Sequence, residues 1–218
     1  MQQKEVFGDD PVAFAQSFEK AGAKFLHLVD LDGAKAGKLH YFEIAKRIAE
    51  NTNLFVEVGG GIRDEETIEH CLSAGVDRVI LGTIAQKDPA FTQAMLKKYG
   101  SKIAIGVDAK DEKVAVEGWL EKTETDAFEF CQQLAAWGAE TIIFTEISRD
   151  GTGEGINLPL YQKLNQLDIE IVASGGVASL KDIEGLKQLG ISGVIVGKSL
   201  YNGSLKLEEV LQAGGDDQ

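Results

Sequence analysis

Two glycine clusters in this chain are each followed, at a fixed distance, by a further glycine that ends another apolar run. Val58-Gly59-Gly60-Gly61-Ile62 leads to Gly82-Thr83, and Ala173-Ser174-Gly175-Gly176-Val177 leads to Gly197-Lys198. Gly60 to Gly82 and Gly175 to Gly197 each span 22 positions, and the copies are offset by 115 residues. A glycine just past a strand lets backbone N–H groups approach an anion closely. The duplication therefore points to two phosphate cradles facing one another, occupied by a small molecule with a phosphate at each end. A tight strand-to-helix turn without ligand is the alternative for either cluster. Between the copies, Asp108 ends the apolar run Ile103-Ala104-Ile105-Gly106-Val107. A partly desolvated carboxyl there has its pKa raised toward that of a general acid; the other reading is a residue that only caps or opens the next loop. Asp32-Gly33 and Asp150-Gly151 read either as ligand contacts or as Asp-Gly turns. Trp119, after Gly118, would stack on a planar ring or cover a rim. His27 lies mid-strand, where a structural core role is expected.

These residues need a scaffold that brings strand ends together. Short apolar runs alternate with helical patterns along the whole chain, which predicts a parallel sheet. The expected strands are Phe25–Val29, Leu54–Val58, Arg78–Leu81, Ile103–Val107, Thr141–Thr145, Ile169–Ala173 and Gly193–Val196. Asp10-Pro11 and Asp88-Pro89 read as helix starts, as do Asp64, Ser179 and Thr125 or Asp126; Gly22, Gly75, Gly100, Gly138 and Gly190 read as helix ends. The repeat extends to Ala21-Gly22-Ala23 with Val29-Asp30-Leu31, matched by Trp137-Gly138-Ala139 with Thr145-Glu146-Ile147. Two such halves, about residues 1–99 and 100–212 of one domain, predict an α/β fold of the (β/α)8 TIM-barrel class. A doubly wound open sheet explains the alternation but not the duplication. Seven strands are found rather than eight. The counterpart of Ile103–Val107 would fall ahead of Met1, so the first barrel strand is expected to be missing, by truncation or a misplaced start. Residues 213–218 are expected to be a disordered tail.

Composition narrows the partners. A net charge of −13 over 218 residues argues against nucleic acid and against an anionic membrane surface. Phosphates would then be held by local backbone donors. No apolar run has membrane-spanning length, and no signal-peptide core follows Met1. Cys71 and Cys131 form no Cys-x-x-Cys and read as buried small hydrophobes in a reducing cytosol. His27, His40 and His70 are scattered, so no metal is expected. The expected protein is a cytoplasmic monomer acting on a small molecule.

Several segments taken together resemble the ProFAR isomerase family of histidine biosynthesis. They are Val29-Asp30-Leu31-Asp32-Gly33-Ala34, Val58-Gly59-Gly60-Gly61-Ile62-Arg63, Ile80-Leu81-Gly82-Thr83, Gly106-Val107-Asp108, Gly118-Trp119, Thr145 through Thr152, Ala173-Ser174-Gly175-Gly176-Val177 and Val194-Ile195-Val196-Gly197. The match runs from about Val6 to Leu211. The sister cyclase subunit of imidazole glycerol phosphate synthase shares the barrel and several loops, but the Leu-Asp-Gly-Ala, Ile-Leu-Gly-Thr and Gly-Trp segments look like the isomerase. The resemblance implies an Amadori rearrangement of a bisphosphate aminoaldose to the ketose, without metal or cofactor. It implies Asp108 as the acid and Thr145 as its support. Gly61, Gly82 and Thr83 would hold one phosphate, and Gly176, Gly197 and Lys198 the other. Gly60, Gly175, Asp150 and Gly151 complete the expected substrate-binding set, and Trp119 would close over the heterocycle. The family's base is an aspartate ending the first strand, for which this sequence has no matching position, so impaired turnover is expected; the alternative is an inactive sugar-bisphosphate-binding remnant that needs a partner strand.

Overall fold

The computed structural model describes residues 10–215 of the chain. Seven strands lie side by side in one parallel path: β1 (Phe25–Val29), β2 (Phe55–Gly59), β3 (Arg78–Leu81), β4 (Ile103–Lys110), β7 (Thr141–Glu146), β8 (Glu170–Ser174) and β9 (Gly193–Val194). Between β4 and β7 the chain adds a hairpin, β5 (Lys113–Val116) and β6 (Glu121–Asp126), running antiparallel to the end of β4. The helices α1 (Pro11–Lys20), α2 (Leu31–Ala36), α3 (Phe42–Asn51), α4 (Glu65–Ser73), α5 (Thr83–Lys87), α6 (Pro89–Tyr99), α7 (Ala127–Ala136), α8 (Leu158–Leu164), α9 (Leu180–Gln188), α10 (Lys198–Tyr201) and α11 (Leu207–Gly214) alternate with the strands. This is a TIM-barrel-like α/β architecture.

Side-chain alternation along the strands separates two environments. Val79, Leu81, Ile103, Ile105, Ile142, Phe144, Ile171 and Ala173 face the helices in the main core. The intervening Ile80, Ala104 and Ile143 form a second cluster on the other face, with Val172 and Ile195 against it. The path is curled. Phe14 and Phe18 of α1 meet Tyr201 of α10 at ring-centroid distances of 6.4 and 6.5 Å, so helices flanking opposite ends of the path touch. Among the described residues β1 pairs only with β2, and β9 only with β8. On β1, Phe25 is 65% and Val29 51% exposed, on the same strand face as His27.

The expected helix starts form for the expected reasons. Asp10, Asp64, Asp88 and Asp126 each accept backbone N–H bonds at an N-terminus, and Ser179 with Asp182 forms a capping box. Three strand expectations need correction. β4 runs on to Lys110 because the hairpin pairs with its end. The hairpin itself was not foreseen: β6 is polar throughout and carries no alternating signal. β9 ends at Val194, two residues early. At the C-terminus, Ala213 and Gly214 belong to α11 rather than to a tail, whereas 216–218, like 1–9, lie outside the described residues.

Tyr161 ties the helix layer to the sheet. It is fully buried, and its hydroxyl lies 3.0 Å from the Phe144 carbonyl, to which it donates, and 3.2 Å from the Ser174 N–H, from which it accepts. Tyr161→Phe leaves both strand groups unsatisfied in the interior. We expect a loss of about 1–3 kcal/mol in urea unfolding; an unchanged midpoint would show that these contacts contribute nothing.

Candidate active site

Every strand in the path runs the same way, so all the strand-to-helix turns open on one rim. Two cavities occupy it. One, of about 500 Å³, is lined by Gly60, Gly61, Gly82, Thr83, Asp108, Trp119 and Thr145. The other, of about 310 Å³, is lined by Gly151, Gly175, Gly176, Gly197 and Lys198. Asp150, Ser174 and Ile195 line both, so the two cavities adjoin. All thirteen residues expected from sequence to form the site are thereby brought to one place, with one glycine repeat in each half.

The repeats match in backbone geometry as well as in spacing. Gly60 and Gly61 have φ of 106° and 83°; Gly175 and Gly176 have 84° and 90°. A Cβ on Gly60 would stand 2.2 Å from the Asp30 carbonyl oxygen, and one on Gly61 2.6 Å from the Lys38 carbonyl carbon. Only glycine satisfies both demands. The second glycines also correspond: Gly82 (φ −101°, ψ −102°) starts α5 and Gly197 (φ −118°, ψ −90°) starts α10. In each half a short helix therefore begins at the cavity wall with its first backbone N–H groups unpaired within the helix. In the smaller cavity the Lys198 ammonium donates to the Gly151 carbonyl at 2.8 Å. In the larger, Arg63 and Lys35 add positive charge that the sequence reading had not singled out. Arg63 directly follows the first glycine cluster, which was the available signal.

Asp108 sits between the halves. It is in register with Thr145 of the neighbouring strand, and the Trp119 indole N–H donates to its Oδ2 at 2.8 Å. Burial pushes its pKa up; hydrogen bonds from Trp119 and Thr145 pull it back, and the charge of Asp150 pushes it up again. Desolvation also raises Asp150, against the pull of Lys198. The loop carrying the indole is strained: Glu117, Gly118 and Trp119 have φ of 57°, 62° and 70°. It is fastened to α5, where the Glu117 N–H donates to the Thr83 hydroxyl at 3.0 Å and its carboxylate pairs with Lys87. Trp119 remains 45% exposed at the cavity mouth.

Two residues in or just beyond β1 play different parts. Asp30 is 3% exposed, and its carboxylate accepts from the N–H groups of Gly33, His40 and Tyr41 at 2.6, 2.5 and 3.0 Å. It holds the α2 loop in shape and has little capacity left for a ligand. His27, expected as a core residue, lines the larger cavity instead. It shares a strand face with Val29, two residues on, so period-two alternation was the overlooked signal.

Over residues 1–206 the chain matches the family model described as Histidine biosynthesis protein. It belongs to that family. It is 48% identical over 209 residues to the 1-(5-phosphoribosyl)-5-((5-phosphoribosylamino)methylideneamino) imidazole-4-carboxamide isomerase of Ruminiclostridium cellulolyticum, covering 95% of this chain and 89% of the relative. The proteins of the same name from Listeria innocua and Thermoanaerobacter pseudethanolicus are 46% and 45% identical, covering 96% and 95% of this chain and 88% of each relative. The family resemblance read from the motifs is thus borne out. Among the described residues no helix is long and apolar enough to cross a membrane.

The raised pKa of Asp108 has a stability consequence. A carboxyl with a folded-state pKa above its unfolded value binds its proton more tightly when folded. It therefore favours the folded state most at low pH and costs stability as pH rises through the folded value. Asp108→Asn removes that cost while keeping an acceptor for the Trp119 N–H. The variant is expected to be at least as stable as the wild type at pH 7, the difference shrinking as pH falls through the carboxylate range. Thermal melts across pH measure this; a variant destabilised more at pH 7 than at pH 4 would contradict it.

Proposed function

We propose that this protein is an aldose–ketose isomerase that performs an Amadori rearrangement on the bisphosphate ribotide after which its relatives are named. The carrying observation is the pair of adjoining, backbone-matched glycine cavities, with the desolvated Asp108 carboxyl in the larger and a second carboxyl, Asp150, lining both. A ligand with one phosphate in each cavity spans the rim and lays its reacting sugar beside Asp108. Gly61, Gly82 and Thr83 then hold one phosphate, with Arg63 supplying charge. Gly176, Gly197 and Lys198 hold the other. Oriented backbone donors at short helix starts serve both ends, which fits an anionic substrate on a chain of net charge −13.

In this reading Asp108, protonated, gives its proton to the ring oxygen of the aminoaldose, and the C–O bond breaks to leave a Schiff base. A base then removes the proton from the neighbouring carbon, and the enolamine collapses to the ketose. The Thr145 hydroxyl and the Trp119 N–H keep Asp108 oriented. Trp119, at the mouth, covers the planar heterocycle. The resemblance assigns the base to a strand ahead of Val6. Asp150 is a second carboxyl that the described residues bring to both cavities, where it can polarise the leaving and arriving protons. Neither role calls for a metal or redox group, since the rearrangement moves protons and an electron pair within one molecule.

The test is direct conversion of the ribotide by the purified protein, followed by separation of aldose from ketose. Asp108→Asn is expected to cut turnover by roughly 10²–10⁴-fold while leaving binding of the bisphosphate within a few-fold. Lys198→Ala, in contrast, is expected to raise the ligand's Kd with a smaller effect on turnover. A protein carrying a family first strand ahead of Val6 that binds the ribotide at one site yet returns it unchanged would refute the isomerase reading.

A further inference from the structure

A line of polar side chains crosses the concave face of the sheet beneath the cavity, and the mechanism above does not use it. It starts at His27 on β1, whose Nδ1 lies 2.7 Å from Glu57 Oε1 on β2. The other oxygen, Glu57 Oε2, accepts from Arg78 Nε at 2.8 Å and from Arg78 Nη2 at 2.6 Å. Arg78 Nη1 donates to the Thr141 hydroxyl at 3.2 Å, and that hydroxyl donates to Glu170 at 3.0 Å. Glu57 is 6% exposed and Thr141 3%. His27, Glu57 and Arg78 are in register on three adjacent strands, so the sheet ladder fixes their spacing. Although burial opposes it, the bonds and charges of His27 and Arg78 hold the Glu57 carboxyl below its usual range, so it is ionised and can only accept.

An accepting carboxylate at 2.7 Å dictates where the proton on the imidazole sits. Nδ1 must carry it, and in the neutral ring Nε2 is then bare. Among the described residues no hydrogen bond takes up Nε2, while His27 lines the cavity that holds Asp108. We infer that Glu57, clamped by Arg78, is a positioning residue that fixes the His27 tautomer and so presents a bare Nε2 acceptor to the ligand. A group that accepts a hydrogen bond there suits a sugar hydroxyl or a proton in transit. The effect on turnover rests on the isomerase reading; the tautomer does not.

Glu57→Gln makes a sharp test because Arg78 has donors only. The amide oxygen of Gln must face Arg78, so its NH₂ faces His27 and donates to Nδ1. The proton is thereby forced onto Nε2. With ¹⁵N-histidine labelling, long-range ¹H–¹⁵N correlation on the alkaline side of the ring's titration reads the tautomer. The expected result is Nδ1–H in the wild type and Nε2–H in Glu57→Gln. Turnover should fall at least about ten-fold while KM changes little, as expected when an orienting partner is lost. A proton on Nε2 in the wild type, or an unchanged tautomer in the variant, overturns the inference. An inverted tautomer with full turnover overturns the use of Nε2. If Glu57→Gln fails to fold, with Arg78 left uncompensated, the wild-type spectrum still decides. A wild type that shows Nδ1–H but no isomerisation refutes the proposed function and leaves the positioning role standing.

Discussion

The parallel hydrogen-bond ladder is the constraint on which everything else rests. Because β1, β2, β3, β4, β7, β8 and β9 share one direction, their C-terminal ends share one rim. Groups separated by more than a hundred residues, such as Gly61 and Gly176, then open on adjoining cavities. The ladder also fixes register, placing Asp108 opposite Thr145 and His27 opposite Glu57. Helix packing on the convex face stabilises the curl, and the apolar layer of Ile80, Ala104, Ile143, Val172 and Ile195 fills the concave face below the rim.

Electrostatics divides that concave face into levels. Near the strand starts, Glu57, Arg78, Thr141 and Glu170 satisfy one another, which is the condition for keeping charge in a sheet interior. Above lies the apolar layer, and above that a rim where carboxyl groups are desolvated. Burial raises the pKa of both Asp108 and Asp150 there, and the charge of Asp150 raises Asp108 further. In the proposed function global charge plays little part: a strongly acidic chain would meet an anionic ligand through Lys198, Arg63, Lys35 and backbone N–H groups set locally around two glycine turns.

Strain is concentrated in one place. Three consecutive residues with positive φ, two of them carrying side chains, hold Trp119 over the larger cavity. The Glu117 N–H bond to Thr83 and the Glu117–Lys87 pair offset that strain. Since Thr83 belongs to one phosphate cradle in the proposed function, the hydroxyl that steadies the tryptophan loop is also one that a bound anion would compete for.

The sequence by itself determined what depends on local periodicity and local sterics. Strand positions within one or two residues except at the end of β4, the aspartate-capped helix starts, and the positive-φ glycines of the two turns all follow from a residue and its near neighbours. The duplicated spacing added the one long-range fact available, that both cradles belong to equivalent β/α units. What only the tertiary structure decided was partnership. The polar β6 became a strand because β5 was there to pair with it. Asp30, alike in type and position to Asp108, was consumed by three backbone N–H groups of the following loop. His27 was turned into the cavity and tied to Glu57 by a register that no single strand contains. Periodicity reports which face a side chain takes; which partner it meets on that face is set by the neighbouring strand.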